Sequence, residues 1–344
     1  MDVPGYTIEG ALGAGGAGRV FAARRAATGE RVALKVFAPD PDDGRFAREV
    51  GALRALDHPH LARLVDHGAV PDGRRWLAMA RVDGAPLSQL LALSVLGPGA
   101  LAALLAKVAR GLAAAHAQGV LHRDVKPANI VVDGRLEPVL VDFGLAALDE
   151  RRGELTGTGV AVGTPEYMAP EVLEGGGRAA TAACDVWGLG VVLHEGLAGR
   201  HPFARDALGE TVAEVLRAAP PPLPPSTPAH LADACAAALR REASARPTAD
   251  ALARLLAPED AAGAVDPPPV VLATPGSETV DVAPPAPPAR TAPPARVGPY
   301  ALVRRLGGGA HGAVHAARHE ATGALHALKL VDATSGEPAA RALR

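Results

Sequence analysis

The most constraining stretch of the chain is HRDVKPANIVVDGRLEPVLVDFG, from His122 to Gly144. Ile130 to Val132 reads as a short strand, Asp133-Gly134 as a turn and Val139 to Val141 as the returning strand, since apolar runs flanking Asp-Gly pair as a hairpin. The hairpin brings Asp142 back beside Asn129. A carboxylate and an amide oxygen at one end of a hairpin can ligate Mg2+, which takes oxygen donors and keeps waters and phosphate oxygens as its other ligands. Asp124, five residues before Asn129, lies just before that pair. There it is placed to accept a hydroxyl proton, a role worth ~10²–10⁴ in rate. An acidic loop that only caps helices is the bland alternative.

A second phosphate-directed segment is LGAGGAGRV, from Leu12 to Val20. Its G-x-G-x-x-G spacing alone fits a dinucleotide fold, a loop over phosphates between strands, or a flexible turn. The dinucleotide fold needs a helix after the glycines and an acidic residue about 20 positions on. Here the alternating runs RVFAA and RVALKVF follow, punctuated by Thr28-Gly29, and Ala33-Leu34-Lys35 stands at that distance. Two or three antiparallel strands are therefore expected, with backbone N–H groups free to approach phosphates and Lys35 adding a point charge. Phe46, Val50, Leu53 and Leu56 then recur at helical spacing. Glu49 shares their face and needs a cation, for which Lys35 and Arg45, four residues back, compete.

From Gly84 onward helical patterns dominate, as in LAALLAKVARGLAAAHAQG and CDVWGLGVVLHEGLAG. After Leu256 periodicity gives way to a Pro/Ala-rich segment that reads as an extended linker over 257–297, the alternative being a ligand for a proline-binding domain. Beyond it the chain repeats itself. Setting Tyr300 under Tyr6 aligns Gly307, Gly309, Gly312, Val314, Thr322, Gly323 and Lys329 with Gly13, Gly15, Gly18, Val20, Thr28, Gly29 and Lys35, without a gap. About half of the roughly 30 aligned positions are identical, which means duplication.

Together these motifs resemble those of a eukaryotic-like bacterial serine/threonine protein kinase, over nearly all of Tyr6 to Leu256. The resemblance is carried by GAGGAGRV, VALK, Glu49, HRDVKPAN, DFG at Asp142 to Gly144, GTPEYMAPE at Gly163 to Glu171, DVWGLG at Asp185 to Gly190, and Arg246. It implies an α+β, two-lobed fold: a small antiparallel sheet with an αC helix over 6–82 and a larger, mainly helical lobe over 83–256, within a kinase domain spanning 1–256. The repeat over 298–344 becomes a partial second small lobe, a truncated tandem copy with Gly307, Gly309, Gly312 and Lys329 as a vestigial nucleotide loop.

What the resemblance implies for the site is specific. ATP would be bound by Leu12, Gly13, Ala14, Gly15, Gly16, Ala17, Gly18, Arg19, Val20, Ala33, Lys35, Met79 and Arg81. Lys35 would hold phosphates and pair with Glu49, Asp124 would be the catalytic base, Lys126 would steady the γ-phosphate, and Asn129 with Asp142 would hold Mg2+. Met79 would guard the adenine pocket in WLAMARV, where Ala80 and Arg81 depart from the family's acidic and aromatic pair. Glu171 with Arg246 resembles a buried ion pair, and Asp185 a brace for the catalytic loop. Thr156 and Thr158 would be phosphorylation sites whose phosphate could meet Arg123.

Acceptors would be protein serine and threonine hydroxyls, including the chain's own. Self-association through the small lobe is a mode such families use, although no residue here points to it. The rival readings are a nucleotide-binding scaffold and a small-molecule phosphotransferase. Filled catalytic positions argue against the first, and GTPEYMAPE against the second.

Composition narrows the partners. A net charge of −2 gives no field for a nucleic-acid backbone, and 3% aromatics leave little for base stacking. Cys184 and Cys235 form no Cys-x-x-Cys pair, so neither a disulfide framework nor a zinc site is expected. His311, His315 and His319 have the i, i+4 spacing of a metal site on a helix, but the repeat makes this region turn and strand. The first residues lack a signal peptide's basic and apolar regions, and Lys107 and Arg110 interrupt the apolar run near Leu101 to Leu121. No membrane span and a cytoplasmic location are the expectation.

Overall fold

The computed structural model describes residues 2–15, 18–37, 43–142, 164–257, 296–297, 300–309, 312–319 and 325–330. They fall in two compact units, Met1–Ser277 and Glu278–Arg344.

The first unit opens with β1 (Tyr6–Gly15), β2 (Gly18–Arg25) and β3 (Arg31–Phe37), followed by α1 (Asp43–Arg54), β4 (Leu64–Ala69) and β5 (Arg75–Ala80). The strands form one antiparallel sheet in the order β1-β2-β3-β5-β4. Alternation along each strand gives the sheet two faces. Phe21, Ala23, Val32, Leu34, Val36, Trp76 and Ala78 bury one face together with Val3, Tyr6 and Val70. The other face carries Val20, Lys35 and Leu77 at one register level and Ala22, Ala33 and Met79 at the next.

Helix α1 puts Phe46, Val50 and Leu53 into the main core. It ends at Arg54, before the last residue of the apolar series. Leu56 is buried all the same, because the amides of Ala55 and Leu56 turn back onto the carbonyls of Ala52 and Leu53.

The helical part contains β6 (Ala85–Pro86), α2 (Leu87–Leu93), α3 (Pro98–Ala117), β7 (Ile130–Val132), β8 (Pro138–Leu140), α4 (Pro170–Gly175), α5 (Ala182–Ala198), α6 (Leu208–Arg217), α7 (Ala229–Ala238) and α8 (Ala249–Leu256). Among the described residues only α3 is long and apolar enough to cross a membrane. Its Leu101, Leu104, Leu105, Val108 and Leu112 recur at helical spacing and are buried in the core. Pro98 opens α3 without wasting a helical N–H, and the amides of Gly119 and Val120 close its last turn on the carbonyls of His116 and Ala115. The chain therefore leaves α3 directly into the His122 segment.

The hairpin after that segment is longer at its turn than Asp-Gly alone implies. Asp133 Oδ1 accepts the amides of Arg135 and Glu137, both at 2.8 Å. Pairing consequently starts at Val132↔Pro138, and the return strand is Pro138–Leu140 rather than Val139–Val141.

Beyond α5 the loop is organised by a neutral histidine. His201 Nδ1 accepts the amides of Phe203 and Ala204 at 3.0 and 2.9 Å, and the ring meets Tyr167 edge-on at 4.7 Å. Burial, with His194 and Arg205 nearby, pushes the imidazole down to about 4. The unfolded chain therefore takes up a proton before the folded one, and stability present above pH ~6.5 drains away toward pH 4, by at most ~2–3 kcal/mol. Urea midpoints measured across that window should fall with pH in the parent. His201→Asn, whose Oδ1 can accept the same two amides, should flatten the slope.

The second unit holds β9 (Arg296–Val297), β10 (Tyr300–Gly309), β11 (Gly312–His319) and β12 (Leu325–Leu330), in the order β12-β11-β10-β9. Its β10, β11 and β12 repeat the register of β1, β2 and β3 in the first sheet. Tyr300↔His319, Gly307↔Val314, Gly309↔Gly312 and Val314↔Lys329 stand where Tyr6↔Arg25, Gly13↔Val20, Gly15↔Gly18 and Val20↔Lys35 stand in the first, and both register irregularities recur. His315 and His319 lie on β11, so no helix sets their spacing; His311 lies outside the described residues.

Candidate active site

Sheet register assembles one wall. Val20, Ala33, Lys35 and Met79 lie on the face opposite the Phe21–Leu34 cluster, with Leu12 at the sheet's edge and 52% exposed. Arg19 alternates onto the other face and covers the ring of Phe21 at 5.1 Å. Gly13, Ala14 and Gly15 end β1, whereas Gly16 and Ala17 lie outside the described residues. Gly18 has φ +142, and a Cβ on it would stand 2.2 Å from the carbonyl oxygen of Val36. Its place in the glycine segment is thus demanded by contact with β3 before any ligand is considered.

The strand then runs into the connection Arg81–Gly84. Arg81 N reaches Arg31 O at 3.3 Å, and a Cβ on Gly84 would stand 2.3 Å from Val132 O. Gly84→Ala should therefore cost ~1–3 kcal/mol, read as a lowered urea midpoint, because the obstacle is backbone.

The His122 segment is held from below by Asp185 on α5. Asp185 Oδ1 accepts the amide of Arg123 at 2.7 Å, and Oδ2 accepts the amide of His122 at 2.9 Å and lies 2.8 Å from His116 Nε2. Burial alone would raise this carboxyl. The hydrogen bond from His116 and the two imidazoles beside it carry it below the usual carboxylate range instead. His122 is fully buried and burial keeps its imidazole neutral; Nδ1 accepts the amide of Asp124 at 3.1 Å and Nε2 lies 2.9 Å from Val141 O. Arg123 at φ +66 and Asp142 at φ +61 are left-handed, a conformation that costs energy in residues with a Cβ and clusters at functional sites. The Arg123 Nε is buried without a hydrogen-bond partner among the described residues.

Above this base the polar groups converge. Asn129 Nδ2 donates to Asp124 O at 2.9 Å and to Asp124 Oδ2 at 3.0 Å. Lys126 Nζ lies 3.0 Å from the same Oδ2 and donates to Thr164 Oγ1 at 2.7 Å. Val141 N donates to Asn129 O at 2.8 Å, which carries Asp142 to the same end of the hairpin. Asp142 Oδ1 is 3.4 Å from Lys35 Nζ, whose side chain is 12% exposed. A lysine and an aspartate from distant elements thus meet beside an Asp–Lys–Thr chain. Such an arrangement can neutralise phosphate oxygens on one side and orient a hydroxyl on the other.

Residues 6–255 match the protein kinase domain family. This chain belongs to that family. It is 40% identical over 270 residues to the serine/threonine-protein kinase PkaA of Streptomyces coelicolor, covering 72% of this chain and 49% of the relative. It is 40% identical over 209 residues to the DNA damage-responsive serine/threonine-protein kinase RqkA of Deinococcus radiodurans, covering 59% and 31%. With the serine/threonine-protein kinase PknA of Mycobacterium tuberculosis it shares 35% over 272 residues, covering 73% and 61%. The matched part therefore spans 31–61% of these relatives' lengths.

In this kinase domain several expected residues stand outside what is described. Glu49 lies on α1 but its side chain is not among the described ones, and Phe143, Gly144, Thr156 and Thr158 fall in the undescribed stretch 143–163. Arg246 forms a bidentate pair with Glu171 at 2.7 and 2.8 Å, with its guanidinium 4.9 Å from the Trp187 ring. Sequence reasoning passed over His116, whose only signal was an imidazole near the end of an apolar helix. It also passed over Glu195, which accepts Tyr167 OH at 2.7 Å and whose carboxyl burial raises.

Proposed function

We propose that the chain transfers the γ-phosphoryl group of ATP to serine and threonine hydroxyls of proteins, its own activation segment at Thr156 and Thr158 included. The observation that carries this reading is the Asp124–Lys126–Thr164 chain, with Lys126 Nζ 3.0 Å from the carboxylate and 2.7 Å from the hydroxyl. In this reading the glycine segment, Ala33 and Met79 bind the nucleotide, Arg81 borders it, and Lys35 holds its phosphates. Lys126 steadies the γ-phosphoryl group, and Asp124 orients the acceptor hydroxyl and takes its proton. Catalysis is positioning and electrostatic stabilisation of a loose transition state. The partition into a kinase domain over 1–256, a linker over 257–297 and a partial second small lobe over 298–344 is part of the same proposal.

Asn129 and Asp142 suit Mg2+ by their chemistry. Both offer hard oxygen ligands, and Asn129 spends its Nδ2 on Asp124, which leaves its amide oxygen for a metal. No cluster of three His, Cys, Asp or Glu among the described residues could enclose an ion. The donors therefore fit a cation that completes its shell with water and phosphate oxygens. Bound there, Mg2+ would offset the charge of the phosphoryl oxygens.

The test is incubation with labelled ATP, Mg2+ and a generic protein substrate, followed by phosphoamino-acid analysis. Labelled serine or threonine is expected. Binding of a nucleotide analogue without any label transfer would replace this reading with a scaffold.

A further inference from the structure

The first irregularity in β1 leaves Glu9 without a cross-strand partner, between the pairs Ile8↔Ala23 and Gly10↔Ala22. Such a bulge re-aims the side chain it frees. The Glu9 carboxylate is shared between two cations. Its Oε1 accepts Arg24 Nε at 3.0 Å and lies 2.9 Å from Arg24 Nη2, while Oε2 lies 3.7 Å from Arg81 Nη1. On the opposite side Arg81 Nε lies 3.8 Å from Asp83 Oδ1, and Asp83 Oδ2 accepts Arg31 Nη1 at 3.0 Å.

Charges thus alternate along Arg24, Glu9, Arg81, Asp83 and Arg31, from β2 over β1 and the connection to the first residue of β3. The outer links are hydrogen bonds. The two links through Arg81 exceed hydrogen-bond length and act as charge attraction alone. Arg81 is still only 22% exposed, against 48% for Arg24 and 53% for Asp83, so it is the least screened cation of the row. The bulge itself does not require an acid: the second sheet has the same irregularity between Leu302 and Arg304, with Val303 at the corresponding place.

We infer that Arg81 is a positioning residue whose charge straps β1, the strand that carries the glycine segment, to the connection through Glu9 and Asp83, and thereby slows nucleotide release. The inference rests on the ATP reading proposed above. Gly84, one residue past Asp83, sits against Val132 of β7, so the connection's far end is anchored in the helical part. Among the described residues β1 meets the connection through Glu9 and Arg81, its other ties including the pairing with β2 and the bond from Tyr6 OH to Asp66 Oδ2 at 3.1 Å. Movement of β1 away from the connection stretches the contact between Glu9 and Arg81.

The experiment is stopped-flow release of a fluorescent ADP analogue from the full chain. Arg81→Ala should release it about two- to fivefold faster, the range an exposed-to-intermediate ion pair supports. Because the links are non-directional, Arg81→Lys should restore the parent rate. Glu9→Gln should accelerate release as Arg81→Ala does, and the double variant should be no faster than either alone. Raising salt from about 0.05 to 0.5 M should speed release from the parent more than from Arg81→Ala, since it screens the strap as well as the phosphate contacts. Arg74→Ala, which removes a pair with Asp72 confined to the β4–β5 turn, should match the parent. Equal release by Arg81→Ala and the parent, or failure of lysine to restore the rate, overturns the strap while leaving nucleotide binding intact. A parent chain that binds no analogue overturns the ATP reading and this inference with it.

Discussion

Asp124→Asn should lower transfer of labelled phosphate to protein by ~10²–10⁴, with the analogue still bound and the urea midpoint close to the parent's. The local geometry separates the two effects. Asp124 Oδ2 receives Asn129 Nδ2 and faces Lys126 Nζ, both at 3.0 Å, and an asparagine oxygen can accept from both donors. The backbone contacts that hold the segment, from Asp185 to the amides of His122 and Arg123, do not involve the Asp124 side chain. What is lost is a carboxylate able to take a proton from the acceptor hydroxyl. Initial rates of label transfer decide the matter: a variant within tenfold of the parent would remove Asp124 from the base role.

The largest expected effect on stability belongs to Arg246→Leu. The Arg246 side chain is 0% exposed. It pairs through both Nη atoms with Glu171 and donates to the carbonyls of Arg240, Ala183 and Arg241 at 2.7, 3.0 and 2.8 Å. Leucine would fill part of the volume over Trp187. It would also strand one carboxylate and three carbonyls that the guanidinium satisfies. Removing one partner of a buried pair costs ~3–5 kcal/mol, a large share of the ~5–15 kcal/mol that holds a typical domain together. Urea unfolding should show the loss as a lowered midpoint at an unchanged slope. Arg246→Lys should recover little, because an ammonium is a point charge without the planar fork that reaches five acceptors. A lysine variant as stable as the parent would show that charge alone, not the fork, is what this position needs.

Much of this molecule is legible in the sequence wherever a local rule governs. Alternation and Thr28-Gly29 announce β2 and β3, and their register then sets Val20, Ala33, Lys35 and Met79 on one face. The hairpin after Asn129 is announced by two short apolar runs, and the bond from Val141 N to Asn129 O brings Asp142 to its end. Local rules fail by a residue or so where side chains intervene, as when Asp133 Oδ1 holds the turn and pairing begins at Pro138, one residue before the expected strand.

Pairings across long separations were legible only where the resemblance supplied them, as for Glu171 with Arg246 and for Asp185 beneath the His122 segment. The pairing of Lys35 with Glu49 that the resemblance implies lies outside the described side chains, and the described contact of Lys35 with Asp142 was not foreseen. His116 and Asp185, 69 residues apart, announce nothing about each other. Nor does the glutamate that a bulge in β1 turns toward Arg81. Strand period, turn chemistry and motif order depend on neighbours along the chain, so sequence alone settles them. Which cation meets which carboxylate depends on the direction a bulge, a helix end or a left-handed residue gives to a side chain, and that direction exists only once the elements are packed.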